Sequence, residues 1–294
     1  MVTTVDRGRW TCAPEGDAAR EPVTAMRARE LGRTPIVVGD RVGLVGDLSG
    51  APDALARIVR VEERSTVLRR TADDTDPVER IVVANAEQLV IVTAVADPVP
   101  RTGFVDRCLV AAYAGGLAPL LCLTKADLAD PAPFAAQYTE LELPVLVLRR
   151  DEPARLAALA DALDGRVSAL VGHSGVGKTT LVNVLVPDAD RRVGQVSGVG
   201  KGRHTTVAAL ALPLPAGRGW VIDTPGVRSF GLSHVTRESL IGAFPDLADL
   251  TQDCPRGCSH ETGAPECALD AAVEQGVLSA ARLESFRRML DSGQ

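Results

Sequence analysis

The stretch Gly172–Thr180, GHSGVGKTT, decides the fold of this chain. Its glycines Gly172 and Gly177 frame four residues and are followed by Lys178 and Thr179, which is the spacing of a phosphate-binding loop. Glycines at these positions let successive backbone N–H groups turn inward around phosphate oxygens. We call this stretch the phosphate loop, and it predicts a nucleotide site.

The sequence on both sides of the phosphate loop fits this interpretation. An apolar run at Val167–Val171 leads into it as a strand, and Leu181–Leu185 leaves it with helical character. Lys178 is then expected to reach the terminal phosphates and the Thr179 hydroxyl to ligate Mg²⁺, while the helix N-terminus adds positive charge. The predicted phosphate-binding set is Gly172, His173, Ser174, Gly175, Val176, Gly177, Lys178, Thr179 and Thr180. A plain glycine-rich turn between a strand and a helix is the alternative.

The whole chain has the composition of a soluble protein with several domains. It has 294 residues, of which 46% are hydrophobic and 24% charged, and this length favours two or three cores. No apolar stretch is long and uncharged enough to span a membrane, and the polar start MVTTVDRGRW is unlike a signal peptide. We therefore expect a cytoplasmic protein. The net charge of −6 excludes nonspecific attachment to nucleic acid over the whole surface.

The pattern of strand-like and helical runs divides the chain into three segments. Short β-branched runs at Pro35–Val38, Val42–Val45 and Ile58–Val61, broken by Gly, Asp and Pro, predict a small barrel of the OB-fold type. Buried strands such as Gln88–Ala94 then alternate with helices such as Phe104–Ala114, which predicts a mostly parallel sheet. We predict an α/β fold with an OB-fold domain over 1–75, a nucleotide-binding domain over 76–232 and a C-terminal helical domain over 233–294.

The barrel segment carries many arginines and, after Trp10, no aromatic residue. No Phe, Tyr or Trp occurs between Thr11 and Gly103, so bases cannot stack on aromatic rings there. Any RNA contact of the barrel is therefore expected to use phosphates and shape. The interleaved Asp and Glu residues favour the alternative of an ordinary solvated surface.

Two further turns identify the nucleotide. The guanine motif, TKAD, consists of Thr124, Lys125, Ala126 and Asp127 and follows a buried strand. The Asp127 carboxylate can accept hydrogen bonds from the N1–H and the exocyclic amine of guanine, which adenine does not offer, while Lys125 packs its stem along the nucleotide. In the DTPG turn, Asp223 is expected to hold Mg²⁺ and the Gly226 N–H to sense the terminal phosphate. Together with the phosphate loop, these turns predict GTP.

The order of these motifs is circularly permuted. In ordinary small GTPases the phosphate loop comes first and the guanine motif last, but here Asp127 precedes Lys178. Permutation is tolerated because domain termini often lie close together on the surface. The DTPG turn then runs almost directly into the C-terminal segment, which would allow the nucleotide state to reach a partner through that segment.

Four potential metal ligands lie close together near the C-terminus. They are Cys254, Cys258, His260 and Cys267, in CPRGCSHETGAPEC. Three thiolates and one imidazole suit a closed tetrahedral site, so we expect one structural Zn²⁺ per chain, which would supply folding energy to a loop with little core of its own. Three reduced cysteines in a loop are the alternative. The other three cysteines are expected to be buried thiols.

The chain after Cys267 is expected to form two helices, Ala268–Glu274 and Ser279–Leu290. We expect their apolar residues to pack on the zinc loop. Arg282, Arg287 and Arg288 either face rRNA or form a solvated helix face.

The succession of barrel, TKAD, GHSGVGKTT, GRHTT, DTPGVRSFGL and Cys/His cluster resembles the RsgA (YjeQ) family of small ribosomal subunit biogenesis GTPases over essentially the whole chain. The resemblance implies GTP hydrolysis with Mg²⁺, stimulated by the small ribosomal subunit and its rRNA, as an assembly checkpoint late in maturation of that subunit. The chain departs from the family at Thr124, where asparagine is usual and where a threonine hydroxyl can donate one hydrogen bond.

The residues around the terminal phosphate predict slow hydrolysis by the free protein. Val227 follows the DTPG glycine, where Ras-like enzymes carry a glutamine that orients the attacking water. His204 could orient that water once its loop is ordered, and Thr205 or Thr206 would bind Mg²⁺ in the GTP state. The predicted catalytic set is His204, Lys178, Thr205 and Thr206. A solvent-exposed His204 without a role is the alternative.

Two classes of function fit these features. The first is a monomeric GTP hydrolase that acts on the small ribosomal subunit. The second is an RNA-binding assembly factor that uses GTP only as a conformational ligand, and turnover measured with purified small subunits separates the two.

Overall fold

A computed structural model describes residues 1–15, 21–71, 79–149, 152–187, 209–225, 232 and 235–292. Its strands are β1 (Val2–Asp6), β2 (Arg9–Cys12), β3 (Val23–Arg27), β4 (Val42–Gly46), β5 (Ala56–Val61), β6 (Val67–Arg70), β7 (Arg80–Ala84), β8 (Gln88–Ala94), β9 (Ala118–Thr124), β10 (Val145–Val147), β11 (Arg166–Gly172), β12 (Leu210–Pro213) and β13 (Gly219–Asp223). Its α-helices are α1 (Thr102–Ala114), α2 (Ala132–Ala135), α3 (Pro153–Ala162), α4 (Lys178–Leu185), α5 (Arg237–Ile241), α6 (Pro245–Leu250), α7 (Ala268–Glu274) and α8 (Ala280–Ser292). Short 3₁₀ helices cover Arg29–Leu31, Ala136–Leu141, Pro215–Gly217 and Thr251–Asp253.

Eleven of these strands form one sheet in the order β10-β9-β8-β11-β13-β12-β1-β2-β3-β5-β4, while β6 and β7 form a separate ribbon. From β10 to β13 every neighbouring pair is parallel, so the carboxyl ends of these strands meet at one edge. β12 pairs antiparallel with β13. The predicted α/β class, with a mostly parallel sheet in its nucleotide-binding part, is confirmed.

The central strand β8 shows why this sheet is covered on both faces. All of its residues are buried, as a continuous apolar run predicts for a parallel strand. Leu89 and Ile91 belong to the core that also contains α1 and α8, while Val90 and Val92 belong to the core of α3 and α4.

Among the helices of the described residues, none combines the length and apolar character that crossing a membrane requires.

The first five strands have a core of their own. They follow the order β1-β2-β3-β5-β4 and bury Trp10, Val23 and Ile58 between them. Strand β1 reaches the nucleotide-binding sheet through its pairing with β12 at Thr4 and Leu210. The N-terminal strands are therefore joined to the larger sheet by a backbone contact as well as by the chain.

The strand expected at Pro35–Val38 does not form. The segment instead leads into a turn at Gly39, which has a φ of +92°. The buried Asp40 carboxylate accepts the Val37 N–H at 2.8 Å and pairs with Arg64 at 2.7 Å. Since Pro35 also has no N–H to donate to a ladder, a local side-chain bond replaces strand pairing here.

Several arginines of the N-terminal segment pair with acidic residues on the surface, as the interleaved Asp and Glu residues predict. Exposed ion pairs join Arg41 to Glu15, Arg60 to Glu62 and Arg69 to Glu79. Such pairs contribute about 0–1 kcal/mol each. They shape a mixed surface and do little for the stability of the fold.

The C-terminal helices pack on α1 and share its core. The helix expected at Ala268–Glu274 has these bounds, and Phe244 and Phe286 lie edge to face at 5.7 Å in the core that includes α1. The apolar face of α8 thus packs on the nucleotide-binding domain and not only on the cysteine loop.

The three arginines of α8 contact carboxylates of this chain. Arg282 pairs with Asp246, Arg287 with Asp270 and Arg288 with Asp106. Neither alternative weighed for them, an rRNA contact or a solvated face, describes these contacts, because each guanidinium is engaged within the protein.

The pair of Asp106 and Arg288 joins positions 182 residues apart in the sequence at 2.9 Å. Asp106 lies in α1 and is fully buried. Burial raises the pKa of Asp106, and the Arg288 guanidinium acts against that rise. Arg288 also lies over the ring of Tyr138 at 5.4 Å. The helix α8 is therefore held to α1 by this ion pair, and the buried Asp106 carboxylate needs the Arg288 guanidinium to remain charged.

We expect Arg288→Met to destabilise the protein by about 3 kcal/mol at pH 7, because it leaves a buried carboxylate without its cation. Without Arg288 the folded-state pKa of Asp106 rises further, so the folded state takes up a proton that the unfolded state lacks, and the loss shrinks as the pH falls toward 5. Urea unfolding at both pH values measures this. Arg155→Met, which breaks an exposed pair with Glu152, should cost less than about 0.5 kcal/mol. An equal loss in the two variants would contradict the prediction.

Candidate nucleotide-binding site

The backbone of the phosphate loop requires its glycines. Strand β11 ends at Gly172 and helix α4 begins at Lys178. Gly175 and Gly177 have φ angles of +85° and +96°, a region that other residues enter only with strain. A Cβ added at Gly172 would lie 2.5 Å from the carbonyl oxygen of Val92. The loop therefore combines a left-handed backbone with close contact to β8.

The guanine motif and the phosphate loop meet despite their reversed order. Thr124, at the end of β9, is buried, and its hydroxyl lies 2.5 Å from the carbonyl oxygen of Val176, 52 residues further on. A second carbonyl oxygen, that of Thr93, lies 3.3 Å away. One side chain thus connects two loops that are far apart in the sequence.

The other residues of the guanine motif point in different directions. Lys125 has a φ of +56°, and its ammonium group donates to the carbonyl oxygen of Asp97. The Ala126 N–H donates to the Leu148 carbonyl at 3.2 Å. Asp127 is exposed. Of the four motif residues, Asp127 is thus the one that is exposed to solvent.

Lys178 and Asp223 hold each other at the base of the site. Both are 7% exposed, and the Lys178 ammonium donates to Asp223 Oδ1 and to the Thr224 carbonyl. The Thr179 hydroxyl belongs to the first turn of α4, where its side chain is exposed. The cation and the carboxylate expected for phosphate and Mg²⁺ are therefore adjacent, and a buried charge pair of this kind fits ligands that bring the opposite charges.

His173 of the phosphate loop packs against a residue that sequence reasoning did not assign to the site. Its ring lies 4.0 Å from that of Phe104, with 39° between the planes. Phe104 lies in the first turn of α1, where the pattern indicated only an apolar helix position. Asp97 was also missed, because it accepts the Lys125 ammonium group with its backbone carbonyl, and a pattern of side chains does not predict such a contact.

Several predicted site residues lie outside the described residues. They are His204, Thr205 and Thr206 of the proposed catalytic set and Gly226 of the DTPG turn. Ser174, Gly175 and Thr180 are described and exposed at the loop surface.

The four predicted metal ligands converge. One donor atom from each of Cys254, Cys258, His260 and Cys267 lies within 4.8 Å of all the others. His260 Nδ1 is 3.7 Å from the Cys254 sulfur and 3.9 Å from the Cys267 sulfur. Zinc bonds of about 2.3 Å to sulfur and about 2.0 Å to nitrogen give tetrahedral edges of about 3.5–3.8 Å. The cluster has the ligand types and nearly the spacing that such an ion needs.

The protonation of the cluster makes metal binding dependent on pH. Burial, together with the neighbouring thiols of Cys267 and Cys258, raises the pKa of the Cys254 thiol to about 11. Burial and the charge of Arg287 lower the pKa of His260, which keeps the imidazole neutral and able to ligate. Metal binding must then release thiol protons and should weaken as the pH falls.

Comparison with known proteins adds to this geometry. The family model described as RsgA GTPase matches residues 61–233. A relative from Chlorobaculum parvum named small ribosomal subunit biogenesis GTPase RsgA is 38% identical over 89% of this chain and 86% of its own length. The crystal structure of YjeQ from Thermotoga maritima is 26% identical, covers 99% of this chain and 96% of its own, and superposes with a TM-score of 0.70. That of YloQ, titled a circularly permuted GTPase, has the same fold at 22% identity, with 99% and 93% coverage and a TM-score of 0.70.

We expect Cys267→Ala to abolish binding of the one zinc ion per chain that the cluster predicts, because three ligands do not close the site. Metal analysis of the purified protein measures the zinc content, and thermal unfolding should show a lowered midpoint. Cys12→Ala removes a buried thiol that lies in the N-terminal core and should leave the zinc content unchanged. Retention of a full equivalent of zinc by Cys267→Ala would exclude this cluster as the site.

Proposed function

Because this chain belongs to the RsgA GTPase family and is a GTP-hydrolysing enzyme, we propose that the small ribosomal subunit stimulates its turnover and that it acts as an assembly checkpoint late in maturation of that subunit. The observation that carries the GTP site is the contact of Thr124 with the Val176 carbonyl, which joins the guanine motif to the phosphate loop. The name of the Chlorobaculum relative supports the small subunit as the partner.

We propose roles for the residues of the site as follows. Lys178 exchanges Asp223 for the terminal phosphates, and Asp223 then holds Mg²⁺ together with Thr179. The Asp127 carboxylate accepts the N1–H and amine of guanine. The Gly226 N–H senses the terminal phosphate, and one zinc ion occupies the cluster of Cys254, Cys258, His260 and Cys267. We further propose a cytoplasmic monomer whose N-terminal strands contact rRNA.

His204 is the proposed water-orienting residue. The proposal that the ribosome activates hydrolysis rests on the sequence around the terminal phosphate. Val227 cannot orient water in place of glutamine, so the free protein should be slow. A partner that orders the segment containing His204 would accelerate hydrolysis without donating a residue. Thr205 or Thr206 would contact Mg²⁺ in the same state.

GTP hydrolysis measured with and without purified small subunits tests this function, with large subunits as the control. We expect stimulation of at least about a hundredfold by small subunits alone, the scale of a positioned acid–base group. GTP binding without stimulated turnover would instead support a factor that uses GTP only as a conformational ligand.

We expect His204→Ala to keep GTP affinity and to lose about a hundredfold in subunit-stimulated turnover. Binding titration and single-turnover hydrolysis measure the two effects. His234→Ala, at the other histidine near the DTPG turn, should keep its stimulated rate. Near-normal stimulated turnover in His204→Ala would remove this role.

We expect Asp127→Asn to weaken GTP binding by about a hundredfold, because the amide loses one of two acceptors and presents a donor to the guanine amine. Xanthine carries a carbonyl in place of that amine, so the variant should bind xanthosine triphosphate better than GTP. Asp130→Asn alters a nearby exposed carboxylate that caps Ala132 and should leave the preference for GTP intact. An unchanged preference in Asp127→Asn would exclude this carboxylate as the base contact.

A further inference from the structure

We infer that Thr124 positions the phosphate loop and contacts no atom of the base, so that the guanine motif does not read the N7 edge of guanine. The inference rests on the proposed GTP site and concerns how that site selects its base. The buried hydroxyl of Thr124 has too few donor hydrogens to bond both the loop and the base, although the motif predicts that this residue binds GTP.

The hydroxyl of Thr124 has one proton to donate. Among the described residues, its hydrogen-bond partners are the carbonyl oxygens of Val176 at 2.5 Å and Thr93 at 3.3 Å. A carbonyl oxygen can only accept, so the proton must go to one of them, and the shorter distance assigns it to Val176. What remains on the hydroxyl is acceptor capacity.

The edge of guanine beside the imidazole ring presents N7 and O6, which are both acceptors. An acceptor-only hydroxyl cannot bond to either. An asparagine amide carries two donor hydrogens, enough for a loop carbonyl and a base nitrogen together. The threonine of this chain has one donor, and the loop uses it.

The contact with Val176 orients the part of the phosphate loop that binds phosphates. Val176 is buried, and a Cβ added at Gly177 would lie 3.8 Å from the Thr124 hydroxyl oxygen and 4.0 Å from its methyl carbon. The Thr124 side chain therefore packs against Gly177 and, through its bond to the Val176 carbonyl, fixes the orientation of that carbonyl in the loop. Loss of the hydroxyl should weaken binding of the phosphates whatever the base.

The neighbours of Thr124 do not take over the N7 edge. Lys125 donates to the Asp97 carbonyl, and Ala126 offers a buried methyl group with its backbone N–H and carbonyl already bonded. Asp127 is exposed, but a carboxylate accepts only, which suits the N1–H and amine of guanine and not N7. Within the motif, base selection thus falls to Asp127 alone.

The test compares GDP with 7-deaza-GDP, in which a C–H replaces N7 and the N1–H and amine remain. Isothermal titration with Mg²⁺ should give dissociation constants within about twofold of each other for the unmodified chain. Thr124→Val, which keeps the shape and removes the hydroxyl, should weaken both ligands by the same factor of about ten. Thr124→Ser restores the donor and should bind within about threefold of the unmodified chain. IDP, which lacks the amine, should bind more weakly than GDP and shows that the assay detects base reading.

Three results would overturn the inference. One is 7-deaza-GDP binding more than about fivefold more weakly than GDP to the unmodified chain. Another is Thr124→Val changing the ratio of the two constants, and the third is Thr124→Val leaving both constants unchanged. Equal thermal unfolding midpoints for the Val and Ser variants exclude misfolding as the cause. Absence of any GDP binding by the unmodified chain would instead remove the proposed GTP site, and the inference with it.

Discussion

Parallel pairing of β11 with β8 on one side and with β13 on the other is the constraint on which the site depends. It places Gly172 beside Val92, and Leu170 beside Asp223, in register. Strand β9 continues the same parallel arrangement beyond β8, so the turn that follows it opens at the same edge. Carboxyl ends of parallel strands meet at one edge whatever the order of the connections. This is why the guanine motif can precede the phosphate loop in the chain and still lie against it.

Local patterns in the sequence were enough for the parts of the fold whose cause is local. The strand Gln88–Ala94 and the helix Ala268–Glu274 have the bounds that apolar runs and helical spacing indicated. The cluster of Cys254, Cys258, His260 and Cys267 was predictable because these residue types at this spacing are those of a metal-binding loop. In each of these cases the residues that cause the structure lie within about one element of each other.

Other features depend on partners that are distant in sequence. Asp106 meets Arg288 across 182 residues, and nothing near either position distinguishes a buried pair from a solvated charge. Strand β12 forms because β13 and β1 lie on either side of it, and its four residues carry little pattern of their own. The direction in which Thr124 donates its proton also requires the position of Val176. Composition and periodicity do not contain these relations.

The helix α1 connects the phosphate loop with the C-terminal segment by direct packing. Phe104 at its start lies against His173 of the loop, and Asp106, one half-turn further, pairs with Arg288 of α8. Arg287 of the same helix α8 donates to the carbonyl of His260 in the Cys/His cluster at 3.0 Å. The phosphate loop and the Cys/His cluster are therefore connected through α1 and α8, although the sequence analysis assigns them to separate domains.

The pair of Lys178 and Asp223 sets a condition on how ligands enter the site. A buried charge is costly unless an opposite charge accompanies it, and these two groups currently satisfy each other. In the proposed roles, transfer of Lys178 to a phosphate places Asp223 near a second anion, and a cation that reaches the carboxylate in the same event offsets this cost. Transfer of Asp223 to a cation alone would likewise remove the carboxylate from Lys178, which then keeps, among the described residues, only the Thr224 carbonyl. Nucleotide and divalent cation should therefore bind interdependently here, because the buried pair can be exchanged only as a whole.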